Sequence, residues 1–547
     1  MARVIRGPEL RFDSTVSLHK YVEDKMRMFG EEIAQVDGAS GRTMTYGEVL
    51  RWAARLEGAL LARGAGPGDV VLVCARNCLE YCWVLLGVLR AGAACQLVHA
   101  DSTARELQHF ASISSPRLAI CSTELACRVL PSGTTVAELL SGMQSVQEVF
   151  VWGDDTPDLP ARCTPLLQLF SEIQTRDVCK GNPIVIDEDN EKYEVQHDYT
   201  RKVSFVLSSS GTTGLPKGVM LTHANFVAAL AANSSKFVSR KDVALGLMPF
   251  CHAYGLCLML MYLCRGARMV VLDRFKTDVV SEIIPRHQIS CLHLVPSLLP
   301  ALLGPGGADT LSVTRVWTGA GHVTGEMQRA AVCRLSSGAA LYHSYGLTET
   351  TFTVLTGKCR PDKPSSSGKL CAGMQCKVVD TETLKPLGPN DFGELYFRGP
   401  LQMKGYMQNP KATQDAIDAD GWLHSGDLGY YDEDEYFYIV DRLKDIIKYQ
   451  GYQISPSELE SILMTHPSVK EVAVIGVPHE LYGEVPQAHV VRQPETKTEP
   501  KELEEYLNAE VSPFKKLRGG VKFVEFLPKT PLGKIQRNII KKQHAYQ

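Results

Sequence analysis

The chain of 547 residues predicts about three to four domain-sized units of roughly 150 residues each, with several sizeable cores. With 44% hydrophobic, 22% charged and 8% aromatic residues, the composition excludes disorder, collagen-like repeats and coiled coil. Lys and Arg number 58 against 61 Asp and Glu, a formal net charge of −3, so there is no basic footprint for nucleic acid or an anionic membrane surface. We therefore expect a soluble enzyme or a large binding protein, without a nucleic-acid partner.

Apolar segments of strand length alternate with longer helical patterns through most of the chain. Val70–Cys74, Val203–Leu207 and Met269–Leu272 are predicted strands, and Leu79–Arg90 is a predicted helix. Such alternation is typical of an α/β architecture with largely parallel sheets.

One segment has the length and lack of charge of a membrane span. Leu245–Cys264 carries no formal charge over about the length that a bilayer requires. Gly246, Pro249, His252 and Gly255 interrupt its first half. We therefore predict a loop followed by a buried helix, and no membrane span.

The pattern changes further along the chain, where short strands are separated by Gly and Pro. Cys376–Val379 and Gly393–Phe397 predict a small β-barrel-like subdomain attached to the α/β body. After Asp441, a helix at Ser457–Thr465 and a strand at Glu471–Gly476 predict a small α+β domain.

Cysteine usage and the two chain ends predict the cellular compartment. The 16 cysteines are spread along the chain without a C-x-x-C pair. Cys74, Cys78 and Cys82 are interpreted as sharing one helical face and filling a core rather than holding a metal. The first residues contain no apolar signal-peptide core, and the final HAYQ is not a Ser-Lys-Leu address. We expect a reducing, intracellular and cytoplasmic location, with the peroxisome left open.

A loop of small hydroxyl residues and glycines follows the predicted strand at Val203–Leu207. Such a loop lets backbone N–H groups and hydroxyls crowd around a phosphate, and Lys217 adds positive charge. No G-K-[ST] follows Gly211 at the Walker A distance. We predict a phosphate-binding loop that leads, after Lys217, into a helix.

Five motifs occur in one order along the chain: Ser209–Lys217 (SSGTTGLPK), Tyr345–Glu349 (YGLTE), Gly421–Asp427 (GWLHSGD), Asp441–Gln453 (DRLKDIIKYQGYQ) and Pro531–Lys534 (PLGK). In wording, order and separation they resemble the adenylate-forming superfamily. Within it, they are most similar to 4-coumarate–CoA ligases and beetle luciferases.

The resemblance implies a large domain at 1–441 and a small mobile domain at 442–547. It implies an acid–thiol ligase that uses ATP, Mg²⁺ and coenzyme A on a small-molecule carboxylic acid, either fatty or aromatic. The acid attacks ATP to give an acyl-adenylate and pyrophosphate, and CoA then displaces AMP. Nothing in the sequence predicts the oligomeric state or the identity of the acid.

The resemblance also assigns nucleotide-binding roles. Thr348 donates to the α-phosphate, Glu349 holds the magnesium ion, Asp427 accepts from the ribose hydroxyls, and Arg442 supports the same sugar. The full nucleotide-binding set implied in this way comprises Ser209, Ser210, Gly211, Thr212, Thr213, Gly214, Lys217, Gly319, His343, Tyr345, Gly346, Thr348, Asp427, Arg442, Lys444 and Gly451.

Three lysines carry the domain-alternation chemistry of the family. Lys534 swings in during adenylation, Lys444 matches the hinge, and Lys448 serves the second half-reaction. From spacing alone, Lys444 and Lys448 could equally form one solvated helix stripe. On the acid's side, the family places His252, Tyr254, Gly321 and Ser344 along the acyl path. Thr348, Glu349, His252, Lys448 and Lys534 are thus the implied catalytic residues.

Departures from the family pattern affect the substrate more than the chemistry. His322 replaces a usual proline, and His343–Ser344 replaces Gln-Gly, so luciferin or coumarate cannot simply be carried over. Gln450 stands where coumarate ligases have a lysine near CoA, and Leu532 replaces Thr or Ser.

Three alternatives to a ligase remain. They are a luciferase-like adenylating oxygenase, a carrier-loading adenylation domain, and a non-catalytic ligand-binding or scaffold protein on the same fold. The joint presence of Glu349, Asp427, Arg442 and Lys534 argues against the last of these.

Overall fold

The structure is a computed structural model. It describes residues 3–153, 159–171, 198–209, 216–303, 308–321, 323, 325–335, 338–449, 452–479, 482–511, 515–530, 533 and 535–545. Its α-helices are Leu18–Met26, Tyr46–Ala62, Glu80–Arg90, Ala104–Ser114, Thr123–Ala126, Val136–Ser141, His223–Phe237, Ala253–Arg265, Thr277–His287, Leu299–Leu303, Gly325–Arg334, Pro410–Ala416, Pro456–Leu463, Pro500–Glu510 and Arg537–Ala545. Pro296–Leu298 and Thr348–Thr350 are short 3₁₀ turns.

Two large, mainly parallel sheets form the body of the protein. The first has eight strands in the spatial order Gly405–Tyr406, Lys217–Thr222, Val203–Ser209, Ala94–Val98, Val70–Cys74, Leu118–Ser122, Glu148–Trp152 and Cys163–Pro165. The second has nine, in the order Lys369–Leu370, Thr353–Lys358, Ala340–Gly346, Arg315–Gly319, Cys291–Leu294, Val243–Gly246, Arg268–Val271, Ile33–Asp37 and Thr43–Thr45. Antiparallel pairs occur only toward the edges, which confirms the largely parallel α/β prediction.

A third sheet is antiparallel and corresponds to the predicted β subdomain. Its strands lie in the order Ile5–Arg6, Gln375–Val379, Gly393–Arg398, Leu423–Tyr431 and Phe437–Arg442. The chain's first strand thus pairs with segments more than 350 residues away, at Ile5 opposite Cys376. This long-range pairing ties the amino-terminal segment to the sheet that carries Asp427 and Arg442.

The carboxyl-terminal part has a sheet and a core of its own. The strands run in the order Tyr452–Ile454, Ile447–Tyr449, Gly483–Arg492 and Val469–His479, with Val521–Phe523 also paired to Gly483–Arg492. Its buried apolar cluster begins at Ile447 and ends at Ile540, whereas the main cluster of the body ends at Phe437. The boundary between residues 441 and 442 falls between these cores and stays a prediction.

Two local predictions are wrong. Lys217 leads into the strand Lys217–Thr222, and the helix begins only at His223. This strand pairs with Val203–Ser209 and buries Val219 and Leu221, while the Thr222 side chain caps the helix by accepting from the Asn225 backbone N–H.

The predicted helical stack of cysteines does not form. Cys74 ends a buried strand, Cys78 lies in the following loop, and Cys82 lies within the helix Glu80–Arg90. Cys74 and Cys82 are nevertheless fully buried, so the expectation that these two thiols fill a core is correct.

The uncharged segment at Leu245–Cys264 forms a strand end, a loop and the buried helix Ala253–Arg265, as predicted. Among the described residues, no helix combines the length and apolar character that a bilayer crossing requires.

Candidate active site

A large cleft of about 1810 Å³ lies at the carboxyl ends of the parallel strands. Gly319 and Ser209, which end strands of the two large sheets, line it together with Gly346. Ligands of open α/β sheets bind at this end of the strands. Gly533 and Arg537 from the small domain also line the cleft, so both parts of the chain contribute to it.

A buried carboxylate is fixed on one wall of the cleft. Asp427, 3% exposed, accepts from the Tyr345 hydroxyl at 2.6 Å through Oδ2 and pairs with Arg442 Nε at 2.8 Å through Oδ1. The register of two antiparallel strands sets this geometry, because Asp427 lies directly opposite Arg442. Burial, and next the Asp427 carboxylate, raise the pKa of Tyr345 well above its ordinary value, so its hydroxyl remains a donor.

Asp427→Asn is expected to weaken ATP binding about tenfold or more, because a hydrogen bond to a charged group contributes about 1.5–3 kcal/mol. Calorimetric titration with ATP or AMP measures the loss. Asp415→Asn is the matched control, since Asp415 lines the same cleft but is exposed. Equal losses of nucleotide affinity in Asp427→Asn and Asp415→Asn would show that Asp427 is not part of the nucleotide site.

Glu349 is connected to Lys217 through an aromatic ring. Its Oε1 accepts from the Tyr406 hydroxyl at 2.9 Å, and Lys217 Nζ lies 4.5 Å from the centre of the Tyr406 ring. Burial, and next the Glu349 carboxylate, raise the pKa of Tyr406 far above its usual range. The hydroxyl therefore stays protonated and orients the carboxylate in the cleft.

The backbone around Glu349 is tightly constrained. A Cβ on Gly346 would lie 2.2 Å from the Phe352 carbonyl oxygen, so only glycine fits there. Thr351 is buried with φ of +61°, an outlier for a β-branched residue. Its hydroxyl donates to the Leu401 carbonyl at 2.7 Å. Such strain costs about 1–3 kcal/mol and persists where neighbouring bonds impose it. Here it fixes the turn that presents Thr348 and Glu349.

Two of the predicted acyl residues, His252 and Tyr254, lie at the start of the helix Ala253–Arg265. His252 caps this helix without a side-chain bond, and its ring centre lies 5.8 Å from that of His99. Burial, and next His99, lower the pKa of His252 to about 4, so its imidazole is neutral at pH 7. Tyr254 stacks on Phe352 with ring centres 5.7 Å apart. The side chains of His99, His252, Tyr254 and Phe352 all line the cleft.

His343 and Ser344, the departures from the family pattern, are both buried on the strand Ala340–Gly346. His343 Nδ1 donates to the Ser366 carbonyl at 3.1 Å, and Ser344 Oγ lies 3.5 Å from Thr356 Oγ1. Gly321 follows the adjacent strand and is exposed in the cleft. The structure therefore brings the predicted acyl positions Gly321 and Ser344 and the predicted nucleotide-binding position His343 to one region.

Several predicted residues lie outside the described part of the chain: Ser210, Gly211, Thr212, Thr213, Gly214, His322, Gln450, Gly451, Leu532 and Lys534, together with the side chain of Lys448. Gly533 and Ile535, on either side of Lys534 in sequence, line the cleft, as does the exposed Lys444. Ser209 and Lys217, which flank the hydroxyl-rich loop, are paired in adjacent strands.

Sequence patterns did not indicate three further residues at or beside the site. Tyr406 orients Glu349, His99 packs beside His252, and His109 Nε2 donates to the Pro216 carbonyl at 2.7 Å, next to Lys217. Each comes from a segment without a motif. Tertiary folding brings Tyr406 and His99 to the cleft and places His109 against Pro216, which lines it.

Comparison with known protein families identifies the family of this chain. The model described as "AMP-binding enzyme" matches residues 22–407, and "AMP-binding enzyme C-terminal domain" matches residues 458–534. The chain belongs to the AMP-binding enzyme family.

Luciferin 4-monooxygenases and 4-coumarate–CoA ligases are among the relatives of this AMP-binding enzyme. The luciferin 4-monooxygenase of Nipponoluciola cruciata is 35% identical over 541 residues, covering 96% of this chain and 94% of that protein. The 4-coumarate–CoA ligase 3 of Oryza sativa subsp. japonica is 32% identical over 560 residues, covering 98% and 94%. These relatives confirm the resemblance to adenylate-forming acyl- and aryl-CoA ligases.

Solved structures agree with the architecture of this AMP-binding enzyme. An ATP-bound RpMatB-BxBclM chimera has a TM-score of 0.80 at 25% identity and covers 96% of this chain and 100% of its own. The anthranilate CoA ligase AuaEII in complex with anthranoyl-AMP has a TM-score of 0.83 at 21% identity, covering 98% and 99%, which shows the shared fold. The predicted fold class is confirmed.

Proposed function

We propose that this AMP-binding enzyme is an ATP-dependent carboxylic acid–CoA ligase that works through an acyl-adenylate. ATP, the acid and CoA are its substrates, and Mg²⁺ is its metal cofactor. The oxygen of the acid attacks the α-phosphorus, pyrophosphate leaves, and the CoA thiol then replaces AMP on the acyl carbon.

The observation that carries the proposal is the Tyr345–Asp427–Arg442 arrangement. Two donors hold a buried carboxylate in place at the cleft, and a rigid carboxylate suits recognition of a vicinal ribose diol. Because protein groups already partner both carboxylate oxygens, the charge of Asp427 is compensated and its orientation is fixed before a nucleotide binds. The arrangement therefore supports a preformed nucleotide site.

The residues present also fit magnesium. Magnesium prefers oxygen ligands and usually binds through one or two carboxylates plus substrate phosphates. Glu349 offers such a carboxylate in the cleft, and Tyr406 engages its Oε1. When bound with ATP, the ion would neutralise phosphate charge, while Lys217 and Thr348 contribute a charge and a hydroxyl from the protein.

Apolar side chains contribute to the lining of the cleft that contains His252. They are Val295, Leu299 and Phe352, together with the ring of Tyr254. Such a lining favours the carbon chain or ring of a fatty or aromatic acid.

ATP–pyrophosphate exchange with a panel of fatty and aromatic acids tests the proposal. Exchange that depends on the added acid identifies a catalyst, and formation of a thioester after CoA is added identifies a ligase. Exchange followed by transfer only to a phosphopantetheinyl carrier protein would instead indicate a carrier-loading enzyme. No exchange with any acid, in protein that still binds ATP, would contradict the proposal.

A luciferase-like oxygenase is the second candidate, because luciferin 4-monooxygenases are among the relatives. We expect little or no light from beetle luciferin, ATP and oxygen, since the buried His343–Ser344 pair alters the wall of the predicted pocket. A luminometer measures the emission. The Photinus pyralis luciferin 4-monooxygenase, 33% identical, is the positive control. Bright emission at comparable enzyme concentration would reverse the order of the two candidates.

A further inference from the structure

Two imidazoles and a thiol meet on the acyl side of the cleft. One ligand atom from each of His99, Cys251 and His252 lies within 4.8 Å of the others. In tetrahedral zinc sites the Zn–N and Zn–S distances of about 2.0–2.3 Å place ligand atoms roughly 3.3–3.7 Å apart. Small side-chain rotations would therefore close these three atoms around one ion.

The three side chains are carried by well-anchored backbone. Cys251 and His252 immediately precede the helix Ala253–Arg265, and His99 directly follows the strand Ala94–Val98. Asn77 fixes the intervening loop, because its Oδ1 accepts from the Phe250 N–H at 2.8 Å and its Nδ2 donates to the Met248 carbonyl at 3.0 Å. The cluster is thus placed by the fold.

The surroundings of His99 determine which of its nitrogens can bind an ion. In this structure His99 Nδ1 accepts from the Asp101 backbone N–H at 3.1 Å. Binding an ion through Nε2 would require the ring proton to move to Nδ1, which breaks that bond, and Asp101 Oδ2, 4.0 Å from Nδ1, is the acceptor that can take its place. A carboxylate behind a ligating histidine is a common orienting partner in metal sites.

We propose that His99, Cys251 and His252 form a binding site for a thiophilic divalent cation of the zinc type. Cys251 is buried at 5% exposure, whereas His99 and His252 line the cleft. Three protein ligands would leave a fourth coordination position facing the cleft, the arrangement of an open zinc site. A mixed nitrogen and sulfur donor set favours zinc over magnesium, so this site is chemically distinct from the proposed magnesium site at Glu349.

Cobalt(II) titration of the full-length protein tests the proposal, because cobalt reports its own ligands spectroscopically. We expect one equivalent of Co²⁺ to produce a thiolate-to-cobalt charge-transfer band, and stoichiometric Zn²⁺ to abolish it. Cys251→Ser should remove the band. His99→Gln should weaken cobalt binding by about tenfold or more, a loss in the range seen when metal-site partners are removed.

Cys257→Ser is the matched control, since Cys257 is equally buried but lies within the helix and bonds to the Thr351 carbonyl. It should bind cobalt as the unaltered protein does. Circular dichroism checks that each variant is folded, and His99→Gln decides the question if Cys251→Ser is not. Absence of the band in the unaltered protein, or an unchanged titration in folded Cys251→Ser or His99→Gln, would overturn the proposal. The readout requires no turnover, so it is independent of whether the ligase assignment holds.

Discussion

Alanine at Lys534 is expected to slow acyl-adenylate formation by about 10²–10³-fold, the usual effect of losing one positioned electrostatic donor at a transition state. By resemblance, this lysine contacts the acid and the α-phosphate only in the adenylate-forming orientation. Its sequence neighbours Gly533 and Ile535 line the cleft. The same variant should therefore still convert a supplied acyl-adenylate and CoA into the thioester.

Lys529→Ala is the matched control for Lys534→Ala. Lys529 belongs to the same terminal segment and lines the cleft, but it is paired with Glu471 at 2.8 Å.

Lys444→Pro is expected to have the converse effect, because proline restricts φ at the predicted hinge. That variant should form adenylate and stall before the thioester. The measurement is the rate of adenylate formation and the rate of thioester formation for each variant. Equal slowing of both half-reactions in Lys534→Ala and in Lys444→Pro would contradict domain alternation.

Removing the charge of Glu349 should cost about 10²-fold or more in adenylation if this carboxylate holds the magnesium ion. Glu349→Gln keeps the size of the side chain and an oxygen that can accept from Tyr406, and so isolates the charge. Initial rates of pyrophosphate exchange across a magnesium titration measure the effect. The magnesium concentration for half-maximal rate should rise as well.

Tyr406→Phe is the comparison for Glu349→Gln. It removes the hydroxyl that orients the carboxylate but keeps the ring beneath Lys217, so we expect a smaller loss than in Glu349→Gln. Normal rate and normal magnesium dependence in Glu349→Gln would rule out the metal role.

The parallel core of the protein could be predicted because its strands are continuous apolar runs. Val70–Cys74 was predicted with its observed bounds, since every residue in it is buried. The helix predicted directly after Lys217 was wrong because Val219 and Leu221 fit either a strand or a helix. Only the pairing with Val203–Ser209 decides between the two. The stack predicted for Cys74, Cys78 and Cys82 was wrong although the strand end at Cys74 was predicted correctly. A spacing of four residues places side chains on one helical face only where all of them lie in the helix, and here only Cys82 does.

The sequence predicted the residues of the candidate site that belong to motifs. It did not predict the residues outside the motifs that orient them. Asp427 and Arg442 were predicted from separate motifs, and strand register places them opposite one another. Tyr406 and His99 lie in segments without a motif, so their contacts with Glu349 and His252 come only from tertiary packing. Sequence reasoning therefore found the charged groups and, within a motif, the Tyr345 hydroxyl that contacts Asp427. It missed Tyr406 and His99, the groups that contact Glu349 and His252.

Asp441 is bonded to both parts of the chain. It pairs with Leu428 in the sheet of the body, and its Oδ2 accepts from Ser455 Oγ at 2.7 Å and from the Ser457 N–H at 2.9 Å, at the start of the small domain's helix Pro456–Leu463. If the small domain turns, either Asp441 leaves its strand or these bonds break. Each hydrogen bond to a charged group contributes about 1.5–3 kcal/mol, so losing one changes an equilibrium ratio by about tenfold or more. The proportions of resting enzyme ready for each half-reaction would then depend on a single carboxylate at the domain junction.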